Sequence, residues 1–377
     1  MNNQVKIHKY KSLRNLVTRL RDEANQNDFV LIYAYNGTGK TRLSMGFKDR
    51  GKQKNGGQPD TLYFNAFTED LFSWDNDLPN DTVRKLKINS SSRFFNGLKE
   101  LALEEKIFAY LERYGEFDFK IDYEEWTITF SKKIKNPKFR EGSTEPETII
   151  QENIKVSRGE ENVFIWCFYL AICELTIDGS LTYNWVKYFY IDDPISSLDD
   201  NNAIALASDL AKLLRRGKDK VKTVISSHHS LFFNVMCNEL KNYKSSQFFL
   251  HKNGSEIYTL RKTNDTPYFH HVAVLSELNQ VKESGRINTY HFNMMRSIME
   301  KTATFFGFDD FGKCIHGIED DVLYDRALNL LSHGKYSIYE PVEMGEDNKK
   351  LFKDILDAFL GKYEFNLPEI LLEETTN

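Results

Sequence analysis

The sequence predicts an α/β layered domain followed by a smaller, mostly α-helical one. Up to about residue 262, short apolar runs of strand length alternate with stretches of helical periodicity. One of those strands runs into a glycine-rich turn, Asn36-Gly37-Thr38-Gly39-Lys40-Thr41, that opens a helix. Beyond Arg261 the strand patterns stop, and helices joined by acidic and glycine-containing loops take over. The chain has 377 residues, and at roughly 100–200 residues per domain this length suits two. The expected units are 1–262 and 263–377.

Phe29 to Tyr35 (FVLIYAY) is an apolar run bounded by Asn-Asp and the glycine turn, which predicts a buried strand. Gly51 to Pro59 is a loop by composition, and Leu62 to Phe67 a further strand. Leu98 to Tyr114 has helical spacing, Trp126 to Phe130 reads as a strand, and the basic run Lys132 to Arg140 as an exposed turn. Asn162 to Leu175 is a helix apolar on most sides. Val186 to Ile191 is a buried strand ending in acids, Asn202 to Leu214 an amphipathic helix, and Lys222 to Ser226 begins another strand.

Composition narrows the classes. Hydrophobic residues are 41% and charged residues 28%, which excludes a disordered or collagen-like chain. The longest apolar stretch, Val163 to Ile172, is too short to span a membrane. The N-terminal MNNQVKIHKYKSLRNL lacks a signal-peptide core. Cys167, Cys173, Cys237 and Cys314 form no C-x-x-C pair, and so few cysteines suit a reducing, cytoplasmic setting.

The turn after the first apolar strand matches the phosphate-loop template G-x-x-x-x-G-K-[ST], with Ala34 in place of the first glycine. Gly37 and Gly39 let the backbone aim N–H groups at phosphate oxygens. Lys40 would reach the β/γ phosphates, and the Thr41 hydroxyl would bind Mg²⁺. Asn36 and Thr38 complete the turn. Asp192-Asp193 follow a second apolar strand, where Asp192 would hold Mg²⁺ through water and Asp193 would polarise the attacking water. Ser157-Arg158-Gly159-Glu160 precedes an apolar helix and offers an anion the helix N-terminus. It reads equally as an ordinary N-cap. Ser196 to Asp199 follow the acid pair, and Ser226-Ser227-His228-His229 ends the next strand.

In this order the motifs resemble those of the ABC-type ATPase superfamily over residues 1–260. GTGKT resembles its Walker A, and Ser157, Gly159 and Glu160 its signature. Asp192-Asp193 resemble its Walker B, Ser196 to Asp199 its D-loop, and His228 its switch histidine. Asp-Asp-Pro stands where many members have Asp-Glu, and Asn65 substitutes for a Q-loop glutamine. The resemblance implies ATP or GTP with Mg²⁺, sandwiched between two copies so that Ser157 faces the partner's γ-phosphate.

In the last third, Arg296 and Glu300 lie four apart on one helix side, and His333 closes a helix at Gly334. Each has an ordinary reading, as a surface ion pair and a C-terminal capping cation. Together they supply what metal-free RNA cleavage needs: a base, an acid and a guanidinium for the phosphorane. R-x-x-x-E with a histidine 33 residues on resembles the PrrC-type anticodon nucleases, an ABC-type ATPase fused to a small helical ribonuclease domain. That resemblance spans nearly the whole chain. It implies a tRNA substrate cut in its anticodon loop, with Arg296, Glu300 and His333 as the catalytic trio. It also implies a role in phage defence and a type I restriction-modification complex as masking partner. The short insert without C-x-x-C separates the chain from the larger, zinc-hooked RloC relatives. A second reading keeps the ATPase but makes the last third a docking module of a defence or repair sensor without nuclease activity.

Charge sets these against each other. Residues 264–377 carry 11 Lys+Arg against 20 Asp+Glu, a net of −9, while residues 1–263 carry 39 against 35, a net of +4. An acidic nuclease domain needs basic help to hold RNA. Lys282, Arg286, Arg296, Lys301 and Lys335 could form a local pocket, or the run Lys212 to Lys222 on the ATPase side could contribute.

Overall fold

The computed structural model describes residues 7–65, 71–75, 84–92, 95, 103–140, 142, 144–195, 200–252, 257–264, 269–315 and 344–363. Ser196 to Asp199 and the helix expected at Leu328 to Gly334, with His333 and Lys335, lie outside these.

The strands are β1 (Ile7–Tyr10), β2 (Phe29–Tyr33), β3 (Thr61–Asn65), β4 (Phe72–Asp75), β5 (Lys85–Ile88), β6 (Asp118–Asp122), β7 (Thr127–Lys135), β8 (Thr148–Gln151), β9 (Tyr188–Asp192), β10 (Lys222–Ser227), β11 (Ser245–Lys252) and β12 (Tyr258–Lys262). The helices of the first part are α1 (Leu13–Gln26), α2 (Lys40–Lys54), α3 (Leu103–Leu111), α4 (Arg158–Asp178), α5 (Asp200–Gly217) and α6 (Ser230–Leu240). Then follow α7 (Phe269–Ser284), α8 (Thr289–Phe306) and α9 (Glu346–Lys362). Among the described residues no strand follows β12.

A seven-stranded sheet runs β1-β12-β11-β2-β10-β9-β3. The five strands from β11 to β3 are parallel, and β12 and β1 add an antiparallel edge. Strand β2 is buried throughout because both its faces are covered. Val30, Ile32 and Ala34 pack with Leu16, Leu20, Leu43 and Phe47 of α1 and α2. The alternate Phe29, Leu31 and Tyr33 join the core of the other face, with α4, α5 and α6. Arg21 of α1 fixes the first layer to the sheet. Its guanidinium bonds Asp60 at 2.8 and 3.0 Å and the Phe47 carbonyl, and lies 4.2 Å from the Phe47 ring centroid.

Strands β4-β5-β7-β6 form a second antiparallel sheet, with β8 hairpinned onto the far end of β7. Its Ile128, Phe119 and Phe130 pack on Phe164 and Phe168 of α4. Helix α4 is buried almost all round from Val163 to Ile177, as its apolar run requires. The basic segment from Lys132 is not the turn its composition predicts: β7 continues through Lys135. Strand β2 ends at Tyr33, two residues short of its apolar run, where Ala34 and Tyr35 lead into the glycine turn. A separate cluster, Val274 to Phe359, is built mainly from α7, α8, α9 and the turn at Phe311–Cys314. No described helix is long and apolar enough to cross a membrane.

Candidate functional site

Strand β2 delivers the turn at the sheet's carboxyl edge, between β11 and β10. Gly37 and Gly39 have φ of +81° and +99°, conformations an L side chain rarely adopts, so the turn depends on glycine there. Gly39 is the N-cap of α2 and leads into Lys40 and Thr41. Thr38 and Lys40 are buried, while Asn36 and Gly37 are exposed.

Lys40 lies among oxygens. Its Nζ donates to the carbonyls of Ala34 (3.0 Å) and Tyr35 (3.1 Å), sits 3.4 Å from Asn36 Oδ1, and pairs with Asp193 Oδ2 at 3.0 Å. Asp193, with φ +45°, turns out of β9, so that its other oxygen accepts from the backbone N–H of His228 and meets His228 Nδ1, both at 2.8 Å. Burial pushes this carboxyl up, but the His228 bonds and the Lys40 charge outweigh it and hold it below the ordinary carboxylate range.

Asp192 is 1% exposed. Ser226 Oγ of β10 donates to Oδ1 at 2.6 Å, while Ser44 Oγ and the Tyr63 hydroxyl approach Oδ2 at 3.4 Å. Burial and neighbouring Asp193 raise its pKa, with the Ser226 bond, Lys40 and the Thr41 hydroxyl working the other way. Tyr63, in turn, is pushed up to about 12, first by burial and then by Asp192. A buried carboxylate short of countercharge beside a threonine hydroxyl is a fitting donor set for Mg²⁺, a hard cation that takes oxygen ligands.

The structure thus brings Lys40, Thr41, Asp192, Asp193 and His228 together. Asn65 pairs across the sheet with Asp192, and its Nδ2 donates to the Tyr63 hydroxyl at 3.1 Å, which places it one side chain from that carboxylate. Sequence reasoning missed Ser44, Tyr63 and Ser226. Ser226 stood in the quoted Ser-Ser-His-His. Only strand pairing reveals Tyr63. Also missed was Tyr258, buried on β12, whose hydroxyl lies beside Gly39.

Ser157 and Glu160 pair with each other: Glu160 N–H donates to Ser157 Oγ at 3.2 Å and Ser157 N–H to Glu160 Oε2 at 2.8 Å. This capping box starts α4 and leaves Ser157 and Arg158 exposed, with Gly159 partly so. Lys132 of β7 reaches Glu160 at 3.4 Å. On α8, Arg296 Nε bonds Glu300 Oε1 at 2.7 Å, and its guanidinium lies 4.9 Å from the Phe311 ring centroid. Where His333 stands relative to this pair is outside the described residues.

One side chain of the phosphate loop touches both halves of the molecule. Tyr35 meets Tyr33 and Phe249 edge-on at 5.6 and 5.8 Å, and also packs on the carboxy-terminal cluster.

Comparisons with known proteins show the family to which the chain belongs. The AAA_13 family model, an AAA domain, matches residues 99–359. An anticodon nuclease of Escherichia coli is 33% identical over 369 residues, covering 89% of this chain and 89% of that protein. Among solved structures, an SmcHead bound to the C-winged helix domain of ScpA is 12% identical over 63% of this chain and 90% of that one. Its TM-score is 0.30, a likeness too weak to bear on the fold. The AAA domain implies nucleotide binding, and with identity of that level along nearly the whole of both proteins, the chain belongs to the anticodon nuclease family.

Proposed function

We propose that the chain is a nucleotide-gated, metal-independent endoribonuclease that cuts a tRNA anticodon loop, leaving a 2′,3′-cyclic phosphate and a 5′-hydroxyl. The observation that carries this is the identity to an anticodon nuclease along 89% of both chains, more than either part of the chain could supply alone. The proposed division is 1–262 for nucleotide and 263–377 for RNA, and the separate apolar cluster after Lys262 supports it.

The nucleotide is ATP or GTP with Mg²⁺, whose charge offsets that of the phosphates. Lys40 would exchange the oxygens of its own loop and Asp193 for those of the β/γ phosphates. Thr41 and Asp192 would hold Mg²⁺, and His228 and Asp193 would lie toward the γ-phosphate. Ser157, with Gly159 and Glu160 at the exposed start of α4, would meet the nucleotide of a second copy in a dimer.

Cleavage would use Arg296, Glu300 and His333. One of Glu300 and His333 takes the proton of a ribose 2′-hydroxyl, whose oxygen attacks the adjacent phosphorus. The other protonates the leaving 5′-oxygen as the P–O bond breaks. Arg296, held in plane by Glu300 and Phe311, stabilises charge on the phosphorane. Tyr35 supports the gating: a phosphate that reshapes its loop moves a side chain seated on the carboxy-terminal cluster. In the cell the activity belongs to cytoplasmic phage defence, masked by a type I restriction-modification complex.

The closed Arg296–Glu300 pair also suits the sensor reading, since a surface helix alone would make it. Sequencing tRNA ends from cells expressing the chain separates the two. New 5′-hydroxyl ends within one anticodon loop support the nuclease, and intact tRNA alongside nucleotide turnover refutes it.

A further inference from the structure

Beyond Ser131, strand β7 leaves β5 and β6 behind and pairs only with β8, Lys132 opposite Gln151 and Lys135 opposite Thr148. The result is a two-stranded ribbon projecting from the second sheet, with every residue of β8 exposed. Asn136 closes its far end. The Asn136 side-chain amide donates to the Pro146 carbonyl at 2.8 Å and its Oδ1 accepts from Lys138 N–H at 3.0 Å, while Asn136 N–H donates to the Glu147 carbonyl at 2.8 Å. Asn136 is itself 5% exposed.

Its cations are segregated. Lys132, Lys133, Lys135, Lys138 and Arg140 all precede position 141, and the acids come on the return. Lys133 and Lys135 point to one face, opposite the uncharged Ile150 and Thr148. Lys133, Lys135 and Lys138 are exposed, and among the described residues none of them forms an ion pair. In the other basic run, Lys212 to Lys222, four of the six cations are neutralised. There Arg215 pairs with Glu239, Arg216 with Asp178 and Glu174, Lys218 with Asp219 and Lys222 with Asp28. On the acidic carboxy-terminal side, Lys282 is held by Asp357 and Arg296 by Glu300.

We infer that the ribbon is the surface through which the protein holds the sugar-phosphate backbone of its RNA, with Lys133, Lys135 and Lys138 as the phosphate contacts. The inference rests on the tRNA reading above and adds to it where that RNA docks. A polyanion needs unpaired cations, each of which releases counterions on binding. Strand pairing fixes the backbone that carries Lys133 and Lys135, which lowers the ordering cost of presenting them. Through Lys132 and Glu160 the ribbon is tied to the start of α4, so docked RNA lies next to the signature-like cap.

The test is binding of fluorescent total tRNA to the full chain across a salt series. Lys133→Gln/Lys135→Gln/Lys138→Gln should weaken binding tenfold or more at low salt and flatten the log–log salt slope by about 2–3, the share of three phosphates. Nucleotide binding and the melting temperature should stay unchanged. The triple Lys→Arg variant should keep the wild-type slope, and Lys218→Gln/Lys222→Gln, at cations already paired with Asp219 and Asp28, should leave it nearly intact. Wild-type slope and affinity in the Gln triple would overturn the inference, as would a Gln triple that keeps tRNA binding but no longer dimerises, since the ribbon would then dock a second copy. A wild-type chain that neither binds nor cuts tRNA would instead refute the reading beneath it.

Discussion

Asp193→Asn should loosen the nucleotide-free protein and tighten its grip on nucleotide. The structure sets the scale. Lys40 Nζ and Asp193 Oδ2 are 3.0 Å apart with side chains 5% and 15% exposed. At an effective dielectric near 20, that separation corresponds to about 5–6 kcal/mol of attraction. Removing one member of a buried pair typically costs about 3–5 kcal/mol. Here the carbonyls of Ala34 and Tyr35 and the Asn36 amide share the ammonium, so much of its charge stays compensated. The expected loss is therefore that of a charged hydrogen bond, about 1.5–3 kcal/mol. A bound phosphate replaces the missing anion and recovers this energy, which makes binding about 10- to 150-fold tighter. Calorimetric titration with a non-hydrolysable analogue, beside melting curves with and without it, reads both effects. The apo difference should also shrink in acid. Asp193 has a depressed pKa, so its contribution is full above the ordinary carboxylate range and is lost as pH falls through its folded value. Unchanged apo stability together with equal or weaker nucleotide affinity would refute the competition between Asp193 and phosphate.

Lys40→Ala should abolish nucleotide binding in a folded protein, and wild-type affinity for a fluorescent ATP or GTP analogue would contradict it. Ser157→Arg should cost α4 its cap, about 1 kcal/mol, and still bind nucleotide through Lys40. Light scattering should then show no nucleotide-dependent dimer, and normal dimerisation would remove the cross-subunit role. Tyr35→Ala should keep nucleotide affinity but uncouple RNA cleavage from nucleotide, with Tyr35→Phe restoring the response. A Tyr35→Ala enzyme that still responds would take the gate elsewhere.

Much of the layered fold was legible because β2 and β9 are buried on both faces and read as apolar runs. Helix α4 announced itself the same way. Of the second sheet only the start of β7 was read, as Trp126 to Phe130. Lys85–Ile88 and Asp118–Asp122 do alternate, with Leu86, Ile88, Phe119 and Ile121 turned inward, but four or five residues carry too few periods to stand out. Lys132 to Lys135 looked like a turn because a ribbon wet on both sides has no apolar face to show. At the site, the sequence located Lys40, Asp192, Asp193 and His228 through local motifs. Ser44 of α2 and Tyr63 of β3 approach Asp192 from 148 and 129 positions away, a proximity that the packing of α2 and the register of β3 on β9 create. Arg296 and Glu300 were placed on one helix side by spacing alone, and their bond follows.

The central claim is that this protein cleaves tRNA with Arg296, Glu300 and His333. Its most direct test is cleavage of purified tRNA by pre-activated enzyme in EDTA, comparing wild type with Arg296→Ala, Glu300→Gln and His333→Ala. Losing an acid or base should slow cutting by about 10²–10⁴, and losing the guanidinium by about 10²–10³. Glu300→Gln/His333→Ala should be little worse than the poorer single variant, because the groups act as one unit. Nucleotide affinity should not change in any of them. If Arg296→Ala and His333→Ala both cut at the wild-type rate, the first is only a surface ion pair and the second only a helix cap, and the claim is wrong.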